Sequence, residues 1–391
     1  MVSATFLSLG ALSLSAVHAL PGGSAQPRAR LVSRGASTPG RITMPVVKLA
    51  AHGNGQNAAK DGWTSRVDVG AQWFIPAWIG TPGKQFYFLG DSGAPNLSIE
   101  STLEPKDHQG DIPLYDPSQS STAKQLDGYT YSECFGSGYC DNGVVYTDIF
   151  TVGQIALEGM PIMVQTNNTS PTSGTIRSGN LGLNIDPNGM TTQPNRLPTY
   201  FQQIMPYLES PLWTVDYRTS TKSGQFEFGA IDSSRYHGTI AYGALSSTGG
   251  LWTTIIDGIG AGYDNSAFRE HKFQVAWDTG SGGGQISREI ADLYWSQVPN
   301  SEWRPDWDNY LYKCDQPLPD FVIRLSDGNK VGIPGSALFY KRAEGKDEGK
   351  CLSMLAIGSD NDTLWGQDWI EKFFVIFDWG NKRVGVANKD Q

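Results

Sequence analysis

The sequence predicts a mostly β protein of two related lobes, with a few short helices. Three observations carry this. Apolar runs of about five to eight residues, bounded by Gly, Pro, Asn and Asp, recur from Trp73 to the C-terminus. Two of those runs end in matching elbows, Asp91-Ser92-Gly93-Ala94 and Asp278-Thr279-Gly280-Ser281, 187 residues apart. The composition, 39% hydrophobic with 46 Gly and 22 Pro in 391 residues, suits a turn-rich folded chain and suits coiled coil or bulk disorder poorly. That length accommodates two cores and is long for one.

Taken in order, the chain begins with an apolar stretch from Thr5 to Val17 that is too short to span a bilayer. Val17-His18-Ala19 follows as a small-x-small cleavage site, so residues 1–19 read as a secretory signal peptide. Residues 20–65, rich in Gly, Ala, Ser, Arg and Pro with weak periodicity, read as a leader or pro-segment. Residues 1–60 carry six basic side chains (Arg28, Arg30, Arg34, Arg41, Lys48, Lys60) and no acidic one, against a net charge of −9 for the whole chain. Two readings of that contrast are open: an electrostatic cover for an anionic cleft, or a basic linker. The acidic body makes nucleic acid an unsuitable partner. No later run reaches the length of a membrane span and no C-terminal anchor signal is present, so the protein is expected to be secreted, or vacuolar by the same pathway.

Strands are expected at Trp73–Ile79, Lys84–Leu89, Gly143–Phe150, Gly224–Gly229, Phe321–Leu325 and Phe373–Phe377. Helical signals are confined to Pro198–Leu208 and to Ser287–Val298, where Ser287 suits an N-cap and Glu289 the first turn. The lobes are expected to span residues 66–235 and 236–391, meeting near Asp232–Tyr242. Four cysteines in a secreted chain imply disulfides; three connectivities are open, and Cys134 with Cys140 and Cys314 with Cys351 is the simplest. Zinc fits poorly, since the Cys spacing matches no finger and the chain holds five His. Sequons at Asn167, Asn168 and Asn361 are candidate glycosylation sites; the one at Asn96 adjoins an elbow and is expected to be unused. The glycine run after Thr279 lacks the Lys-Ser/Thr ending of a phosphate loop.

Beyond the elbows, the chain carries Ile79-Gly80-Thr81-Pro82-Gly83, Tyr115-Asp116-Pro117-Ser118, Tyr146-Thr147-Asp148-Ile149-Phe150, Phe228-Gly229-Ala230-Ile231-Asp232 and Phe377-Asp378-Trp379-Gly380-Asn381. With these, from about Trp73 to Asn388, it resembles the pepsin-like aspartic proteases, the secreted fungal members above all. The resemblance implies a bilobed acid-protease fold with the active-site cleft between the lobes. It also implies an endopeptidase made as a zymogen, monomeric, taking an extended polypeptide and needing no metal or cofactor. Asp91 and Asp278 would be a catalytic dyad sharing one proton, the behaviour for which aspartic proteases are the established example. Ser92 and Thr279 would brace the elbows, and Gly93 and Gly280 would allow their close approach. A flap hairpin is implied within residues 128–143; counting forward from the strand before it makes Tyr131 the candidate substrate-facing tyrosine, while counting back from Gly143 leaves other residues open. Lys48 is a candidate pro-segment cation for the dyad.

Several positions depart from the family pattern: Ala94-Pro95 after the first elbow, Ser98 for a Trp, Gly90 and Trp277 before the aspartates, Asn180 in Asn180-Leu181-Gly182, and Gln367 for an Asp. Two alternatives therefore stand beside a general endopeptidase: a catalytically impaired binding protein of the same fold, and a processing enzyme of narrow specificity.

Overall fold

Strands form where the chain alternates buried and exposed residues or is apolar throughout, and they account for about half of the described residues. The computed structural model describes residues 28–33, 40–50, 71–109, 112–136, 138–169, 177–246, 250–358 and 363–390. The expected signal peptide and the Asn361 sequon lie outside these residues. Within them, strands occupy Ala71–Ile79, Lys84–Asp91, Cys140–Val152, Ser223–Phe228, Phe321–Leu325 and Phe373–Asp378, each within a few residues of its expected bounds. The helices are short. Tyr200–Ile204 starts at a Thr199 capping box, and Arg288–Trp295 at Ser287, whose side chain accepts from the Ile290 N–H.

A 15-stranded sheet runs through the first lobe and on into strands from the C-terminal end of the chain. Its backbone ladder joins the lobes where Leu212–Arg218 pairs with Phe373–Asp378. The core at this junction is aromatic: Trp213 stacks on Phe377 with ring centroids 3.9 Å apart, and Trp252 meets the same ring edge-on at 5.1 Å. Burying each such ring contributes on the order of 2–3 kcal/mol. A five-stranded sheet carries the second elbow, and a four-stranded sheet closes that lobe. Two disulfides, Cys134–Cys140 and Cys314–Cys351, each lie within one half of the chain.

The segment read as a weakly periodic leader contains two strands. Arg30–Ser33 pairs with Ile155–Asn168, and Ile42–Ala50 lies inside the large sheet between Ala71–Ile79 and Ser223–Phe228. The reason is an alternation short enough to be overlooked: Ile42, Met44 and Val46 are all buried, with polar or exposed residues between them.

The two elbows rest on the same substructure. Lys84–Asp91 pairs in parallel with Gly179–Gly182, and Phe268–Trp277 pairs in parallel with Leu364–Trp365. Each aspartate strand is thus supported by a three-residue element ending in glycine, Asn180-Leu181-Gly182 in one lobe and Leu364-Trp365-Gly366 in the other.

Candidate active site

Both aspartates are delivered from buried strand ends into tight turns. Ala94 N–H closes the first turn onto Asp91 C=O, and Ser281 N–H closes the second onto Asp278 C=O. The elbows are then tied to each other by four hydrogen bonds. Ser92 N–H donates to Thr279 Oγ1 at 3.0 Å and Thr279 N–H donates to Ser92 Oγ at 2.9 Å. Each hydroxyl in turn donates onward across the interface, Ser92 to Trp277 C=O at 2.9 Å and Thr279 to Gly90 C=O at 2.6 Å. Ser92 and Thr279 are fully buried, so every one of these groups would cost about 1–3 kcal/mol if its partner were removed.

This crossing brings the carboxyls together. Gly93 N–H donates to Asp91 Oδ1 at 2.8 Å, and Gly280 N–H donates to Asp278 Oδ1 at 2.9 Å. The two carboxyls face the same small space: a Cβ on Gly93 would lie 3.2 Å from Asp91 Oδ1 and 3.0 Å from Asp278 Oδ1. Burial, and next the charge of Asp278, push Asp91 up to about 8. Burial raises Asp278 as well, against the lowering effect of the Gly280 N–H and of Asp91. Two groups so placed cannot both ionise readily.

Gly280 is required by space. A Cβ there would lie 2.2 Å from Asp91 Oδ1, whereas one on Gly93 would lie 3.0 Å from Asp278 Oδ1. Gly280→Ala is therefore expected to lower kcat/KM about 100-fold or more by displacing the Asp91 carboxyl by the better part of an ångström. Gly93→Ala needs a shift of only a few tenths of an ångström, and its loss should be about tenfold smaller. Steady-state kinetics on one peptide substrate measures both.

Comparison with known proteins agrees with this geometry. A family model described as eukaryotic aspartyl protease matches residues 72–389. The chain belongs to that family. Podosporapepsin of Podospora anserina is 29% identical over 82% of this chain and 75% of its own length. Penicillopepsin-1 of Penicillium janthinellum is 29% identical over 81% of this chain and 94% of its own. The aspartic proteinase of Irpex lacteus, at 20% identity, shares the fold with a TM-score of 0.65 over 90% of this chain and 98% of that one. The protein is accordingly an aspartic-type endopeptidase with the bilobed fold of its family. No helix among the described residues is long and apolar enough to cross a membrane.

Three of the family departures, Gly90, Trp277 and Gln367, have a physical counterpart in the packing. A Cβ at Gly90 would fall 2.5 Å from the Phe226 ring, so the glycine makes room for that aromatic. Trp277 is buried, donates its indole N–H to Thr254 Oγ1 at 2.9 Å and meets Trp365 edge-on. Gln367 clamps the second elbow to the first lobe: its Nε2 donates to Thr279 C=O at 2.9 Å, while its Oε1 accepts from Trp73 N–H at 2.9 Å. In the sequence Gln367 is visible only as a departure, because its partners lie 88 and 294 residues away.

Three expectations need correction. Tyr131 is 3% exposed and packs inside the first lobe with Val145, Met163, Met190 and Leu197, rather than presenting its ring over a cleft. Its strand position explains this: Tyr131 faces Gly143 across the hairpin, which opens a slot for the ring. Lys48 does not reach either aspartate. Its ammonium pairs with Glu371 Oε2 at 2.7 Å and lies over the Trp73 ring. Asn168 is buried, with Nδ2 donating to Glu104 Oε1 at 2.6 Å, so that sequon has no free amide to carry a glycan; Asn167 beside it is exposed.

Proposed function

We propose that the protein is a secreted endopeptidase that works at acidic pH through Asp91 and Asp278. The observation that carries this is the crossed pair of elbows, which brings two buried carboxyls side by side. In the singly protonated pair, the ionised oxygen takes a proton from a water that attacks the peptide carbon, and the remaining carboxyl proton goes to the carbonyl oxygen. The tetrahedral species then collapses as a proton passes to the leaving nitrogen, and the pair returns to its starting state. The polypeptide binds extended, with backbone hydrogen bonds setting its register.

Residues 1–19 direct the chain into the secretory pathway, and the basic segment after them is removed when the zymogen matures. The product is a monomer, lacks a metal or cofactor, and carries sugar at Asn167. The altered surroundings of Asp91, with Ala94 and Ser98 and a disulfide-tied hairpin, favour a narrow substrate range within this activity.

The deciding experiment is cleavage of a diverse peptide library by the acid-treated protein across pH 3–6 and at pH 8. Cleavage confined to the acidic range is expected, at a restricted set of sites. A folded protein that cleaves nothing at any pH would leave the binding-protein alternative in its place.

A further inference from the structure

The two aspartates are held unequally. Gly93 N–H occupies Asp91 Oδ1, and a side chain occupies the other oxygen: Asn180 Nδ2 donates to Asp91 Oδ2 at 3.1 Å. Asn180 is 2% exposed, and its own Oδ1 is buried with no hydrogen-bond partner among the described residues. The strand register fixes it there, since Asn180 sits opposite Leu89 in the parallel pair that supports the first elbow. The equivalent position beneath the second elbow is Leu364, opposite Ala276, which has no polar group to offer Asp278. An amide buried with one end unsatisfied is costly in an otherwise apolar supporting element, and its place is explained by what its other end does.

We infer that Asn180 is a positioning residue that breaks the symmetry of the pair: by holding Asp91 Oδ2 as an acceptor, it keeps the shared proton on the inner side, between Asp91 and Asp278. This rests on the catalytic reading above. A proton on Oδ2 would set an O–H against the Asn180 N–H, so the amide disfavours the doubly protonated pair and favours the monoanion. The other groups acting on Asp91 are Asp278 on the opposite elbow, Glu133 on the hairpin, Arg177 before the supporting strand and Tyr217 in the interlobe sheet. Among these only Arg177 is a cation.

Asn180→Leu removes the donor at similar volume, and Asn180→Asp replaces it with a donor that exists only while protonated. In Asn180→Leu the acid limb of the kcat/KM profile should move up by about one pH unit, as expected for losing a hydrogen bond to a charged group. Asn180→Asp should keep activity at the acid end and lose it about tenfold or more as its carboxyl ionises above pH ~4, beside Asp91. Melting temperatures against pH provide a readout independent of cleavage. Relative to wild type, Asn180→Leu should melt with a deficit that grows as the monoanion forms. A deficit constant with pH, together with superposable acid limbs, would reduce Asn180 to a packing residue and overturn the inference. Should wild type cleave nothing, the catalytic reading fails, while the melting series still decides whether Asn180 favours the monoanion.

Discussion

Asp91→Asn and Asp278→Asn are each expected to abolish peptide cleavage, lowering kcat/KM by about 10⁴-fold or more, while leaving the fold intact. An asparagine neither takes a proton from water nor returns one to a carbonyl, and the remaining carboxyl alone supplies only half of the cycle. The stability effect should run the other way. Burial raises both carboxyls, so at neutral pH the native state holds ionisable groups in a site that resists their charge. Removing one relieves this, and the variants should melt higher than wild type at pH 7 and close to it at pH 4.

The two variants should also differ from each other. In Asp91→Asn, Oδ1 still accepts from Gly93 N–H, which directs the new Nδ2 at the Asn180 amide, donor against donor. In Asp278→Asn no such side-chain amide waits. The gain in melting temperature should therefore be larger for Asp278→Asn. Kinetics on one peptide and thermal melts at the two pH values test every part of this. Residual cleavage within tenfold of wild type in either variant would remove that aspartate from the mechanism.

What was legible in the sequence follows from how local each feature is. The elbows, their glycines and most strands are written in runs of a few residues, where period and turn chemistry suffice. The strand Ile42–Ala50 is equally local, yet it was hidden because its alternation spans only three buried residues in a segment otherwise rich in Gly, Ala and Ser. The roles of Asn180 and Gln367 were beyond reach for a different reason. Each acts through a partner brought close by sheet pairing, 89 residues away for Asn180 and Asp91, and the sequence marks them only as unusual. Tyr131 shows the converse failure. Its position in the hairpin was legible, but which face of the hairpin turned inward depended on the register with Gly143 and on the cluster beneath.

That inward face leads to the second large effect, a loss of stability as pH rises from about 4 to 8. Glu133 and Asp141 stand directly opposite each other on the hairpin, one pair before the Cys134–Cys140 disulfide, and both are buried. Asn96 Nδ2 donates to Glu133 at 2.9 Å and Gln165 Nε2 to Asp141 at 2.7 Å, partners suited to carboxyls in either state. Burial, then the charge of Asp141, pushes Glu133 up to about 8; burial pushes Asp141 up to about 7, against the pull of Arg177. In the unfolded chain these groups release their protons near 4.5 and 3.8. Below those values both states are protonated and the stabilisation is fully present. Between them and the folded values only the native state retains the protons, so each unit of rising pH favours unfolding. The coupled pair should contribute a loss of several kcal/mol, on the order of 5, across this window. The disulfide does not relieve this loss, because it keeps the two strands, and with them the two carboxylates, side by side. Glu133→Gln with Asp141→Asn should flatten the fall of melting temperature between pH 4.5 and 8, with little change at pH 4. A slope as steep as that of wild type would shift the cause to the other raised carboxyls, Asp91, Asp278, Glu104 and Asp368, the first two of which the asparagine variants above remove one at a time.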